Sequence, residues 1–200
     1  MKEVEMLYLR LVSVWDSTEK ILATDSQYKS ILSDRMQWPH FTDLIHKMMF
    51  FDCMTYLPDD IMVKVDRASM GASLEARAPF LDHRVVKFAW SLPMNMIVRA
   101  GKSKWIIRKI LHKYVPAKLI ERPKMGFGIP LDSWLRGPLR EWAEGLLDFN
   151  QIEREGILNA GLIRSRWAEH LSGKRNWQYC IWNILMFEAW KNYWMKDNGC

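Results

Sequence analysis

Apolar residues recur at helical spacing through most of the chain. Met6, Leu7, Leu9, Leu11, Val14 and Trp15 mark a first amphipathic segment. Leu44, Ile45, Met48, Met49 and Cys53 mark a second, within 41–56, and this i, i+3/i+4 recurrence is what a half-buried helix requires. The polar, turn-rich stretch 23–40 between them reads as a loop closing at Trp38-Pro39. Pro58 suits the first turn of a further helix and Asp59 and Asp60 suit its electropositive end, so a helix is expected through Ile61, Val65, Ala68 and Met70 to Gly71. Pro79 pushes Ala78 out of the helical region, leaving 74–81 non-helical. Asp82 is expected to N-cap a helix through Val85, Val86, Phe88, Ala89 and Trp90 that stops near Pro93.

Ser103 is placed to cap a basic helix over 104–115, with Trp105, Ile106, Ile110 and Leu111 on its apolar face. Pro116 opens another turn, and a Pro/Gly-bounded loop covers 122–130. Helices are expected around 131–147, 160–171 and 176–195, the last two opened by Asn159 and Asn176. No alternating strand pattern of useful length competes, and there is no repeat or linker. The pattern predicts one all-α unit over 1–200.

Composition narrows the class. Of 200 residues, 49% are hydrophobic and 26% charged, which excludes disorder for most of the length, and 10 Gly with 8 Pro exclude a collagen-like chain. Eleven Trp and 13 Met predict a core of large side chains, part of it suited to a partner surface. Cys53, Cys180 and Cys200 are scattered and the five histidines lack ligand spacing, so no metal is assigned and a reducing cytoplasm is the expected home. The charged start Met1-Lys2-Glu3 does not read as a signal peptide, and no apolar run reaches the ~18 residues of a membrane span.

Charge is distributed unevenly. The net charge is +6, yet the nine bases from Arg99 to Lys124 meet only Glu121, an excess of +8 that leaves −2 for the remainder. An anionic partner near this stretch is therefore expected. Lys124, between Pro123 and Gly126, can present its ammonium to a phosphate, or sit in an ordinary connector. Asp66 and Arg67 lie on an expected helix and could orient a polar substrate or form plain surface pairs. Glu75 and Arg77 stand in an irregular, apolar-flanked segment, as an ion pair or as the lining of a cleft. A nucleic-acid-binding helical module would explain the basic pI near 9.2, but the bases interleave with one apolar face and no recognition motif appears, so no nucleic-acid partner is assigned.

Two longer stretches resemble a known family. Tyr56-Leu57-Pro58-Asp59-Asp60-Ile61-Met62-Val63-Lys64-Val65-Asp66-Arg67-Ala68-Ser69-Met70 runs on into Ser73-Leu74-Glu75-Ala76-Arg77-Ala78-Pro79-Phe80-Leu81-Asp82-His83. This resembles the C-terminal synthetase region of glutamine-hydrolysing asparagine synthetases. Glu121-Arg122-Pro123-Lys124-Met125-Gly126-Phe127-Gly128-Ile129-Pro130 and Trp134-Leu135-Arg136-Gly137-Pro138-Leu139 are similar to its bacterial version.

The resemblance implies an ATP-dependent ligase in which aspartate is activated as β-aspartyl-AMP and attacked by glutamine-derived ammonia, with Mg²⁺ assisting. It implies that Lys124 stands near the ATP α-phosphate, and that Asp66, Arg67, Glu75 and Arg77 border the aspartate/adenylate pocket. The family's SGGxDS pyrophosphate loop, its acidic Mg²⁺ segment and its glutaminase domain with the nucleophilic cysteine are not in this sequence. On this reading the chain is the helical C-terminal portion of an α/β, PP-loop (adenine-nucleotide-hydrolase-like) synthetase domain whose sheet half is missing. It would be a fragment, a truncated product or half of a split enzyme, inactive and binding no cofactor alone, with homo-oligomerisation left open. Two alternatives remain at this stage: a related amidotransferase acting on a sugar acid or other carboxylate in surface-polysaccharide synthesis, and a non-catalytic helical interaction module.

Overall fold

A computed structural model describes residues 2–15, 20–24, 30–121 and 128–196. The described residues divide into two units, Met1–Ile61 with Ile129–Cys200, and Met62–Gly128. Both are helical, as the apolar periodicity predicts. No helix among the described residues is long and apolar enough to cross a membrane.

In the first unit α1 covers Lys2–Val12 and α2 covers Leu44–Met54. The N-cap of α2 is Asp43, whose carboxylate accepts from the His46 N–H at 2.9 Å. The Tyr8 hydroxyl donates to Asp52 at 2.8 Å, joining these two helices, and burial pushes its pKa up to about 12.

The C-terminal part of this unit holds most of the core. It comprises α8 (Leu131–Arg136), α9 (Arg140–Leu146), α10 (Phe149–Glu155), α11 (Ala160–Leu171) and α12 (Gln178–Lys196). Leu131, Leu135, Ala143, Ile152, Ile163, Trp167, Ile181 and Leu185 pack together with almost no exposure.

The single helix expected over 131–147 is in fact two. Pro138 lacks an N–H and disfavours helical backbone at Gly137, and the chain turns there between α8 and α9. Helix α10, not anticipated, begins at Asp148, whose carboxylate accepts from the N–H groups of Asn150 and Gln151 at 3.0 and 3.2 Å. Asn159 and Asn176 cap as expected, accepting from Leu162 N–H and Gln178 N–H, each at 3.0 Å.

The second unit contains α3 (Val63–Gly71), α4 (His83–Ser91), α5 (Met94–Ile97), α6 (Trp105–Leu111) and α7 (Ala117–Ile120). Strands β1 (Val98–Arg99) and β2 (Lys102–Ser103) form an antiparallel hairpin with Val98 opposite Ser103. Its two turn residues, Ala100 and Gly101, have φ of +49° and +73°, the primed geometry that two-residue hairpins favour. Ser103 therefore belongs to a strand and does not cap the basic helix. That helix starts at Trp105 after Lys104, which has φ +58° and makes no side-chain cap, and it ends at Leu111.

Burial separates the units. Every fully buried side chain among the described residues belongs to the first. In the second none is buried, and Met70, Leu74, Phe80, Phe88, Tyr114 and Leu119 are largely exposed. Packed domains normally shield such side chains from water.

Candidate functional site

All four pocket candidates named from the sequence lie in the second unit. Asp66 and Arg67 are on α3, directly after the π-helical turn Leu57–Met62 that contains Pro58, Asp59 and Asp60. Turns of this kind are rare and recur at functional sites. Asp66 is half-buried and Arg67 exposed, and neither side chain makes a hydrogen bond or ion pair to another described residue.

The end of α3 sets the course of the next segment. The Leu74 N–H donates to the Ser69 carbonyl and the Ser73 N–H to the Met70 carbonyl, both at 2.9 Å. This pair of bonds is a Schellman closure with Ser73 at the position usually held by glycine. Ser73 has φ +57°, which an L-residue adopts at a cost of about 1–2 kcal/mol. The chain then leaves in an extended course through Leu74-Glu75-Ala76-Arg77-Ala78 to a 3₁₀ turn at Pro79–Leu81.

Glu75 and Arg77 pair with each other along this exposed segment. The Arg77 guanidinium is 3.0 Å from one Glu75 oxygen and 3.3 Å from the other, with side-chain exposures of 83% for Arg77 and 74% for Glu75. So open an ion pair contributes little to stability. Asp82 caps α4 as expected, accepting from the Arg84 N–H at 2.9 Å. It also receives the Arg84 side chain, which holds its carboxyl below the usual carboxylate range. An open groove of about 460 Å³ lies along α4, lined by His83, Arg84, Lys87, Phe88 and Ser91, and none of the four candidates lines it.

The basic stretch sorts into three groups. Arg99 and Lys109 place their charges 5.3 and 5.0 Å from the centre of the Trp105 ring. Lys102, Arg108 and His112 gather on Glu121 at 3.4, 3.8 and 3.8 Å. The side-chain ammonium groups of Lys104, Lys113 and Lys118 have no partner among the described residues. Lys124 lies outside the described residues.

No group of three or more His, Cys, Asp or Glu that could hold a metal ion exists among the described residues.

Backbone strain was not legible in the sequence. Among the described residues the non-glycine positions with positive φ are Ser73, Ala100 and Lys104, all in the second unit. Strain of this kind persists where surroundings enforce it, and functional sites are a common place. No sequence signal marks Ser73, since serine is ordinary in a turn. The Ala100-Gly101 pair carried only a weak hairpin signal.

The asparagine synthase family model matches residues 2–192. Over 149 residues, 74% of this chain, it is 34% identical to a putative glutamine-hydrolyzing asparagine synthetase of Mycobacterium bovis, covering 22% of that protein. Over 146 residues, 73% of this chain, it is 30% identical to glutamine-hydrolyzing asparagine synthetase 1 of Bacillus subtilis, covering 23% of that protein. Against the human glutamine-hydrolyzing asparagine synthetase the identity is 32% over 141 residues, covering 60% of this chain and 24% of the relative. The chain thus spans less than a quarter of the length of these relatives. No solved structure matches it. With the family model covering nearly its whole length, the chain belongs to the asparagine synthase family.

Proposed function

We propose that this chain forms the helical C-terminal part of the synthetase domain of an ATP-dependent amidotransferase that converts aspartate to asparagine. The observation that carries this reading is the family match over residues 2–192. The exposed apolar side chains of the second unit support it, because a segment without a buried side chain of its own is suited to be completed by further protein.

A carboxylate is a poor electrophile. In the proposed reaction its oxygen bonds to the α-phosphorus of ATP and pyrophosphate leaves. The nitrogen of glutamine-derived ammonia then bonds to the acyl carbon and AMP leaves. Negative charge builds on the phosphate oxygens in the first step, and fixed cations lower its energy. Lys124 is the cation assigned to the α-phosphate. It follows a stretch whose positive charge is opposed by Glu121 alone, which is the field an incoming polyphosphate requires. Asp66, Arg67, Glu75 and Arg77 are assigned to the border of the aspartate/adenylate pocket. Asp66 and Arg67 have no partner among the described residues, which leaves both available to a ligand. Glutaminase chemistry, Mg²⁺ binding and the pyrophosphate loop are assigned to protein beyond this chain.

The test is product analysis. The complete enzyme containing this chain should form asparagine, AMP and pyrophosphate from aspartate, ATP and ammonia, while the 200-residue chain alone should form none. Turnover by the isolated chain, or failure of the complete enzyme to use aspartate, would defeat the reading.

A further inference from the structure

We infer that the outward face of α12 is a two-fold interface, on which a second copy of this chain packs antiparallel about Met186. The helix carries its polarity inside out. Between Gln178 and Met195 the charged residues are Glu188 and Lys191 alone, and both are buried, where they pair with each other. The outward face carries Tyr179, Trp182, Met186, Trp190 and Tyr193. Of these, Tyr179, Met186, Trp190 and Tyr193 are 60%, 38%, 52% and 66% exposed, and Trp182 is half-buried. A surface helix normally turns its charge outward and its large apolar groups inward. A contiguous apolar patch left in water marks a contact surface.

The order of these five residues selects the occupant. They stand 7 and 4 residues before Met186, at Met186, and 4 and 7 residues after it, and they read Tyr, Trp, Met, Trp, Tyr. A two-fold axis through Met186, perpendicular to the helix, maps this row onto itself. Two antiparallel copies then set Tyr179 against Tyr193 and Trp182 against Trp190 at both ends, while Met186 meets its own image on the axis. Seven residues of helix place each tyrosine about 10 Å from that axis. An isologous contact brings each group of the patch close to its own kind. A charge near the axis would therefore meet a like charge, and this row holds none. Trp142 widens the patch, being 41% exposed with its ring centre 5.9 Å from that of Trp182. At about 200 Å² for each large side chain, the exposed part amounts to about 500 Å² a copy. Two copies would bury about 1,000 Å², the size at which specific interfaces begin. The row also lacks the cations that seat a helix on anionic lipid.

The experiment is the mass of the complete enzyme in solution, measured by light scattering over a dilution series. The native enzyme should show a two-fold association step. Met186→Glu should halve the mass by setting two carboxylates together on the axis, weakening the dimer about 100-fold or more. Mixing the Met186→Glu and Met186→Lys enzymes should restore the native mass. Tyr193→Glu should also halve it, and adding Tyr179→Lys to the same chain should restore it, since these positions meet only between antiparallel copies. This second pair, at well-exposed sites, keeps the test open if Met186→Glu does not yield folded protein. Native mass in both Met186→Glu and Tyr193→Glu overturns the inference, and failure of both restorations overturns the antiparallel pairing. A native enzyme without the two-fold step overturns it as well. If Met186→Glu then lowers the melting temperature, the face is covered by another part of the same protein. If the native enzyme instead floats with phosphatidylcholine vesicles and Trp190→Ala releases it, the face seats on lipid.

Discussion

The backbone N–H of Trp177 donates to Nδ1 of His170 at 3.2 Å, and this bond makes a completely buried imidazole an acceptor. The ring proton then belongs to Nε2, and the side chain is neutral. Burial lowers the His170 pKa from 6.5, Arg136 lowers it further, and Asp132 opposes them. The unfolded chain takes up a proton near pH 6.5 while the folded chain does not. This group's contribution is therefore complete above that pH and is lost as the pH falls below it. The urea midpoint should be lower at about pH 5.5 than at about pH 7.5, and His170→Gln should flatten the difference. An unchanged midpoint in the native chain would contradict this.

A second buried polar cluster predicts a large mutational effect. Lys191 is 5% exposed and pairs with Glu188, which is 2% exposed, and with Glu155. Burial alone would pull the Lys191 pKa down. The hydrogen bonds to Glu155 and Glu188 outweigh it and the net direction is upward. Lys191→Met leaves a buried carboxylate without its counter-charge and should cost about 3–5 kcal/mol. Adding Glu188→Leu should recover much of that loss in thermal denaturation, because an apolar replacement removes the stranded charge. A Lys191→Met protein as stable as the native chain would contradict the assignment.

Ser73 closes α3 in the left-handed region at φ +57°. Ser73→Val should destabilise by about 1 kcal/mol or more, since a branched Cβ tolerates that region poorly, whereas Ser73→Gly should be tolerated. Hydrogen exchange of the Leu74 amide, which closes the motif, reads this directly. Unchanged protection in the valine variant would argue that the closure is not enforced.

The openness of the Glu75–Arg77 pair separates fold from function. With these side chains 74% and 83% exposed, Arg77→Ala should change stability by less than about 0.5 kcal/mol. A fall in synthetase rate in that variant would then report lost ligand contact. A large fall in melting temperature would instead assign the pair to the fold.

Caps and helical faces were readable because they are local. Asn159 and Asp82 sit within three residues of the N–H groups they accept from, at 3.0 and 2.9 Å. The break in 131–147 was written in Gly137-Pro138 but masked by the apolar periodicity on both sides. The hairpin was hidden because Ala100 occupies a position where Asn, Asp or Gly would announce the turn. The Lys191–Glu155 contact joins residues 36 positions apart, and no local pattern distinguishes a buried Lys191 from a surface one. At the candidate site, motif resemblance named Asp66, Arg67, Glu75 and Arg77, but could not show that the last two pair with each other while the first two stand unpaired.

The role of Lys124 is tested most directly in the complete enzyme, by measuring AMP and pyrophosphate formation from aspartate and ATP beside glutamine hydrolysis. Lys124→Ala should lower the synthetase rate by roughly 10²-fold or more, as loss of a transition-state cation does, and leave glutaminase activity intact. A normal rate of AMP formation in that variant would contradict the account.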